Sequence, residues 1–394
     1  MEGSHAVAEA VSLCRPQVVA AYPITPQTHI IEHLAEMVAD GGLASEFISA
    51  ESEFAAASIV LGAVAAGSRA FTASASQGLL LMTEVLFNIA GLRLPVVMVC
   101  ANRAVGAPIN IFSDHQDSMA LRDAGWIQLY AGSNQEAADT IIQAYRIAET
   151  CELPVMVCMD GFFLTHTFEP VDLPGQDTVD AFLPAFHFAR TLDPTRPITL
   201  GGGSEPDNYM EYRQHQHQAL VSAATEIENV NLEFAQTFGR DHGGLIDAYR
   251  LEGAEVVMVT LGSVMGAVKD VVDSLRGQGQ LVGALRLRCF RPFPASALVT
   301  SLCDTGCNAK RIVVLEKALS VGADGIVVTE LRAALHNAGM AVIVEGFVGG
   351  LGGRDLTIEV IESVFRTASD GVSTRCRFAG LKPESGDQST MGES

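Results

Sequence analysis

Along the first half of the chain, apolar positions fall in compact runs separated by segments of helical spacing. QVVAAYPIT is an apolar run that ends in a turn, and in PQTHIIEHLAEMVADGG the residues Ile30, Ile31, Leu34 and Met37 recur at helical spacing before Gly41. This predicts a strand, a turn stiffened by two prolines, and a helix opened by Pro26. SEFAAASIVLGAVAAG then predicts a small-residue helix suited to close packing, RAFTAS a short strand, GLLLMTEVLFNIAGLR a helix, and LPVVMVCAN a fully buried strand. After IQLYA the rhythm returns as NQEAADTIIQAYRIAETC and LPVMVCMDG. A βαβ rhythm implies a parallel sheet with helices on its faces, and such sheets bind ligands beyond the carboxyl ends of their strands. The proline turn of YPITP sits at one of those ends.

The second half begins less regularly. Residues from about 170 to 235 are rich in Pro, Gln and His, and PDNYMEYRQHQHQAL turns into a polar helix, which reads as a connecting excursion. His215 and His217, two positions apart, do not share a helical face. From about 253, EVVMVTLGS, VMGAVKDVVDSLRGQG, QLVGALRLRCF, ALVTSLCDTG, RIVVLEKA and AVIVEGF form a second βα series. The expected fold class is α/β: a parallel-sheet domain over 1–235, including the excursion, and a smaller α/β domain over 250–370. The polar tail LKPESGDQSTMGES, 381–394, is expected to be disordered.

Composition narrows the function classes. Asp and Glu total 46 against 25 Lys and Arg, a net charge of −21 with no basic cluster, which argues against a nucleic-acid partner. MEGSHAVAEAV lacks a basic n-region and a long apolar h-region, and no run reaches the roughly 18–20 apolar residues of a membrane span, so a soluble, cytoplasmic protein without a membrane partner is expected. Eight cysteines, at 14, 100, 151, 158, 289, 303, 307 and 376, lack CxxC spacing and read mostly as buried thiols. Cys303 and Cys307 in CDTGC make two ligands without a second pair, and no ferredoxin-type cluster run is present; no metal ligand is assigned.

Several groups stand where chemistry is expected. Glu51 and Glu53 in ISAESEFAAAS precede a nearly uncharged helix, where a carboxylate either stabilises the helix N-terminus or is a buried acid favoured in its protonated form by desolvation. Arg103 in VCANRAVGAP follows a buried strand and either forms a surface ion pair or grips a carboxylate. SASQGLLLM offers backbone N–H groups at a helix start, through Ser76 and Gln77, for an anion or a polar ring. Asp114, His115 and Asp117 in FSDHQDS have metal-like composition, but adjacent residues seldom converge on one ion. GGGSEPD and FVGGLGGRD fit neither GxGxxG nor a P-loop and read as turns.

YPITPQT, ESEFAAAS, FTASASQGLLLM, NRAVGAPINIFSDHQDSMALRDAGWIQLY, NQEA and PVMVCMDGF, in this order, resemble the α subunits of the 2-oxoacid:ferredoxin oxidoreductases. The resemblance covers essentially residues 1–170, and LEKALSVGADG with GGLGGRD extends it through the second domain. It implies a thiamine-diphosphate-binding-type pyrimidine domain followed by a domain like the C-terminal domain of transketolase. It also implies thiamine-dependent, reversible oxidative decarboxylation of a 2-oxoacid, with pyruvate favoured, to CO2 and an acyl-coenzyme A, with reduction of ferredoxin, as in anaerobic metabolism.

The same resemblance assigns residues. Glu53, rather than Glu51, becomes the catalytic acid at the pyrimidine; Tyr22, Pro23, Ser76 and Gln77 join it around the cofactor; Thr25 and Arg103 bind the substrate. No GDG motif for a diphosphate-bound cation and no cluster ligands are present, so thiamine diphosphate would be shared with a β subunit carrying the diphosphate site, Mg2+ and a 4Fe–4S cluster. Further γ and δ (ferredoxin-like) subunits or fused equivalents, coenzyme A as co-substrate and ferredoxin complete the expected partners. Three other readings have discriminators: the same class acting on branched-chain, aryl or other 2-oxoacids differs in substrate panel, a non-redox thiamine half-subunit in reducing no ferredoxin, and a silent structural subunit in tolerating loss of Glu53 and Arg103.

Overall fold

The computed structural model describes residues 1–304, 306–369 and 377–382. In chain order the first strands are β1 (Val18–Ala21), β2 (Glu46–Ser49), β3 (Ala70–Ser74), β4 (Val97–Asn102), β5 (Ile127–Tyr130) and β6 (Val155–Asp160). Then follow β7 (Ile246–Tyr249), β8 (Val256–Leu261), β9 (Val282–Leu287), β10 (Cys289–Arg291), β11 (Arg311–Glu316), β12 (Ile343–Val348) and β13 (Arg377–Phe378). One sheet has the order β10-β5-β6-β4-β3-β1-β2 and the other β13-β12-β11-β8-β9-β7. All pairings are parallel except β10 on β5 and β7 on β9. The expected α/β class with a parallel sheet and a second α/β unit is what the chain forms.

The apolar runs become strands because both sheet faces are covered: β3, β4 and β6 are buried at every position. The chain steps from β1 outward to β2 and then returns to the other side of β1 for β3. That reversal opens a crevice outside the carboxyl ends of β1 and β3. Helix Glu53–Ala65 packs its small residues on β1 and β3, its N-terminus capped by Ser52 Oγ, which accepts from the Ala55 N–H at 3.2 Å.

Three elements differ from the sequence expectation. GLLLMTEVLFNIAGLR is two helices, Ser76–Leu81 and Thr83–Gly91, interrupted at Met82, where Thr83 Oγ1 donates to the Leu80 carbonyl at 2.6 Å. Pro26 lies in the turn before helix Thr28–Ala39 rather than inside it. QLVGALRLRCF supplies β9 of the second sheet and, after Arg288, β10 on the edge of the first, so the second series of elements contributes to both sheets. The excursion holds helix Pro206–Phe238, polar and exposed at first, whose later turns bury Ile227, Val230 and Phe234. Beyond Lys382 the tail lies outside the described residues, as does Cys376. Among the described residues no helix is long and apolar enough to cross a membrane.

The two sheets are joined by buried charge. Glu136, in the first turn of helix Asn134–Cys151, accepts from Arg286 Nη1 at 2.7 Å and Nη2 at 3.0 Å, and from Arg288 Nε at 3.2 Å. Burial alone would raise its carboxyl, but the two guanidiniums hold it below the usual range. Arg288, fully buried, also donates to the Gly244 carbonyl and to Gln143 Oε1, each at 2.9 Å. Removing the acid would leave Arg288 buried without a counter-ion among the described residues and Arg286 with only Asp247, 3.6 Å from its Nε. Glu136→Ala is therefore expected to destabilise the chain by about 3–5 kcal/mol in urea denaturation.

Glu316, at the end of β11, has no cationic partner among the described residues; it accepts the N–H groups of Val327 at 2.8 Å and Val328 at 3.1 Å and so caps helix Ile326–Asn337. Burial pushes its carboxyl from 4.5 up to about 7, the backbone donors opposing. Between those values the folded chain holds a proton that the unfolded chain releases, so its contribution to stability declines as pH rises from about 4.5 to 7. Glu316→Gln should flatten the stability profile in that window relative to wild type, measured by denaturant midpoints at a series of pH values; parallel profiles would refute it.

Candidate active site

The crevice at the ends of β1 and β3 receives four loops, and each carries residues singled out from the sequence. After β1, the YPITP loop leaves Tyr22, Pro23 and Thr25 exposed. It is held from beneath by Gln27, fully buried, whose Nε2 donates to the Tyr22 carbonyl at 3.2 Å and the Ala73 carbonyl at 2.8 Å. Gln27 therefore ties the loop to β3. Sequence reasoning passed over it, although it directly follows the second proline.

After β2, Glu53 begins its helix with 7% exposure, and its carboxyl makes no hydrogen bond or ion pair among the described residues. Glu51 is exposed. The Glu53 carboxyl lies against the bare face of Gly78: a methyl there would sit 2.4 Å from Oε1 and 2.8 Å from Ser74 Oγ. Ser74 Oγ is itself buried without a partner. A carboxyl and a hydroxyl, both short of partners, thus flank a glycine at the mouth of the crevice. Such a pair is suited to receive a polar ring nitrogen and exocyclic amine.

After β3, Ser76 adopts a φ of +49° and is fully buried. Its N–H donates to Asp117 Oδ2 at 2.8 Å and its hydroxyl to the Ala104 carbonyl at 2.5 Å, so this first donor of the helix is already satisfied within the chain. Gln77, next to it, stays exposed and packs its amide on Gly106.

After β4, Arg103 is only 9% exposed. Its Nη1 donates to the Thr25 carbonyl at 3.0 Å and its Nε to the Asn110 carbonyl at 3.1 Å, while Nη2 has no partner among the described residues. The structure thus brings Thr25 and Arg103 together and leaves one guanidinium nitrogen free. Arg103 forms no ion pair among the described residues.

Asp114, His115 and Asp117 point to three different places. Asp117, fully buried, accepts from the N–H groups of Ser76, Arg103 and Ser118 and from Asn102 Nδ2, all at 2.8–3.0 Å. Burial pushes its carboxyl above the usual range, and the backbone donors oppose this. Asp114 accepts from the Gly352 N–H at 3.2 Å, which docks the GGLGGRD turn onto this loop, and burial raises it to about 6. His115 Nε2 meets Asp160 Oδ1 at 2.9 Å. A cavity of about 880 Å³ lies elsewhere, lined by Arg213, Gln216, Arg291 and Phe293, and none of the residues above lines it.

Residues 9–232 match the family described as pyruvate flavodoxin/ferredoxin oxidoreductase, thiamine diP-binding, and 254–361 match pyruvate:ferredoxin oxidoreductase core domain II. The chain is 49% identical to pyruvate synthase subunit PorA of Methanosarcina barkeri, over 98% of this chain and 96% of that one. The chain belongs to the pyruvate:ferredoxin oxidoreductase family. Within the family it is 45% identical to PorA of Pyrococcus abyssi, over 98% of each chain. It is 42% identical to ketoisovalerate oxidoreductase subunit VorA of Pyrococcus horikoshii, over 92% of each. The fold is similar to 2-oxoglutarate:ferredoxin oxidoreductase of Magnetococcus marinus, with a TM-score of 0.68 and 21% identity, covering 94% of this chain and 64% of that one. It is also similar to a split-gene transketolase, with a TM-score of 0.56 and 14% identity, over 93% of this chain and 98% of that one. In this oxidoreductase subunit the close approach of Glu53 to Gly78 generates a test. Gly78→Ala must displace the carboxyl by about an ångström, and turnover of the assembled enzyme should fall by roughly 10²-fold with little change in the denaturation midpoint. Wild-type turnover would show that the carboxyl moves freely.

Proposed function

We propose that this chain is the α subunit of a pyruvate:ferredoxin oxidoreductase and forms the pyrimidine half of a shared thiamine diphosphate site. The observation that carries the reading is the Glu53 carboxyl, buried at the crevice mouth without a partner among the described residues. Bound there, the cofactor supplies a carbon nucleophile and an electron sink for decarboxylation. Glu53 holds a proton at the pyrimidine nitrogen, the role such an acid–base pair needs in a water-poor site. Ser76 and Gln77 line the ring's polar edge, with the Ser76 N–H already satisfied by Asp117 and the Gln77 side chain exposed. Tyr22 and Pro23 pack against the cofactor. Thr25 Oγ1 orients the 2-oxoacid, and the free Arg103 Nη2 binds its carboxylate.

The other half of the site belongs to partners in this reading: a β subunit with the diphosphate site, Mg2+ and a 4Fe–4S cluster, γ and δ (ferredoxin-like) subunits or fused equivalents, coenzyme A as co-substrate, and cytoplasmic ferredoxin as acceptor. Exposed apolar side chains beside the crevice loops support a partner surface: Phe54 at 39%, Leu81 at 51%, Ile109 at 82% and Phe112 at 48%. Pyruvate is favoured over a branched-chain 2-oxoacid because the PorA relatives are closer in identity than the ketoisovalerate one.

The test compares two neighbouring acids in the co-purified complex. Glu53→Gln should abolish exchange of the thiamine C2 proton and lower turnover by 10² or more, on the order of an acid–base contribution, while Glu51→Gln loses far less. Arg103→Ala should raise the KM for pyruvate with exchange intact. Equal losses at the two glutamates would overturn the assignment of Glu53, and an unchanged KM would remove Arg103 from the substrate site.

A further inference from the structure

Four histidines and three glutamates that the oxidoreductase reading does not use gather where helix Gly3–Leu13, helix Thr28–Ala39 and the loop after β6 meet. They divide into two sets. His5 stacks on His33 with ring centroids 4.5 Å apart, and His33 meets Glu9 Oε1 through Nε2 at 3.1 Å and Glu36 Oε2 through Nδ1 at 3.9 Å, forming an outer set. In the inner set, donor atoms of Glu2, His29 and His166 all lie within 4.8 Å of one another.

The inner set has the chemistry of a transition-metal site. Glu2 is 8% exposed, and His29 Nδ1, 2.6 Å from Oε1, is its side-chain partner; among the described residues no Lys or Arg pairs with it. The His29 and His166 ring centroids lie 4.6 Å apart, the rings tilted by 35°. His166 Nδ1 is engaged by Thr165 Oγ1 at 2.7 Å, which leaves Nε2 as its free ligand atom. That hydroxyl is fixed in turn by the Phe162 N–H at 2.8 Å. An imidazole oriented by a hydrogen bond to its other nitrogen is the arrangement that metal-ligating histidines use.

The backbone holds the donors in register. Gly3 N donates to the Thr167 carbonyl at 3.2 Å and Ser4 N to the Thr165 carbonyl at 3.0 Å, locking the segment of Glu2 onto that of His166. The approach needs glycine: a methyl on Gly3 would lie 2.1 Å from the Leu164 carbonyl oxygen. His29 is placed independently, in the first turn of its helix.

We propose that Glu2, His29 and His166 bind one divalent transition-metal ion of the Zn2+ class. Two imidazole nitrogens and a carboxylate oxygen satisfy three positions of a tetrahedral ion, with water in the fourth. Ligand bonds of about 2.0–2.2 Å bring donors to roughly 3.3 Å apart, within reach of side-chain rotation from the separations here. The ion replaces the proton between Glu2 and His29. Bound, it staples the N-terminal helix and the loop after β6 to the helix that follows the YPITP loop, stiffening the segment that carries Thr25.

The test uses the full chain, stripped with a chelator and titrated with ZnCl2 against a chromophoric competitor, and with CoCl2 followed by visible absorption. One equivalent is expected to bind, with four-coordinate cobalt bands. His29→Gln and His166→Gln should each weaken binding by at least about 10-fold, on the scale of lost metal-site partners. His217→Gln, on an exposed helix, and Cys303→Ser, on an exposed thiol, should leave binding unchanged. Circular dichroism confirms that each variant is folded, and Glu2→Gln serves where a histidine variant is not. Absence of saturable binding by the wild-type chain, binding that survives the double histidine variant, or binding lost only in Cys303→Ser would overturn the site.

Discussion

The carboxylate of Asp160 is the point on which the arrangement of the two sheets depends. It ends β6 fully buried and accepts from Ser113 Oγ at 2.9 Å, His115 Nε2 at 2.9 Å, Ser263 N at 2.9 Å, Ser263 Oγ at 2.6 Å and Lys317 Nζ at 3.0 Å. Burial alone would raise it, but the Lys317 ammonium and His115 hold it well below the usual carboxylate range. Each donor comes from a loop at the carboxyl end of a strand: the loop after β4, the start of the turn after β8, and the residue after β11. One anion thus aligns the ligand-binding edges of both sheets. A lone buried carboxylate would be strongly unfavourable, so the acid, the lysine and the packing of the second sheet require one another.

The site inherits its shape from a second buried acid. Asp117 collects backbone N–H groups from the loops after β3 and β4, which fixes Ser76 and Arg103 relative to each other. Arg103 then reaches the YPITP loop through the Thr25 carbonyl, and Gln27 anchors the same loop to β3. The groups left without partners among the described residues, the Glu53 carboxyl, Ser74 Oγ and Arg103 Nη2, are therefore set among neighbours held by Asp117 and Gln27. That contrast between a hydrogen-bonded frame and a few unpartnered groups is what a preorganised site requires. Exposed apolar side chains, Phe54, Leu81, Ile109 and Phe112, stand beside the crevice loops.

Much of this was legible in the sequence. Strands buried on both faces are continuous apolar runs, so β3, β4 and β6 declared themselves, as did the helices between them. The motifs YPITP, ESEFAAAS and NRAVGAP lie on loops whose position at the strand ends follows from the βαβ rhythm alone. Less legible were features set by long-range contacts. β7 and β10 are short antiparallel edges whose partners lie far along the chain, and Met82 breaks a helix whose spacing reads as continuous. In FSDHQDS the composition is metal-like while adjacency argues against convergence on one ion, and the side chains of Asp114, His115 and Asp117 do leave toward three different partners.

The sequence by itself determined the α/β class, the two series of elements, the family and the set of residues around the crevice, because periodicity and local motifs are properties of short segments. Only the tertiary structure decided which polar groups are satisfied and which are free. Ser76 N–H, offered by a helix start, is taken up by Asp117; Gly78 is required by the Glu53 carboxyl rather than by its own backbone; Glu2, His29 and His166 become neighbours though they are far apart in the chain. Hydrogen-bond saturation and desolvation are sums over everything that surrounds a group. Those surroundings are assembled only when the sheets close on each other.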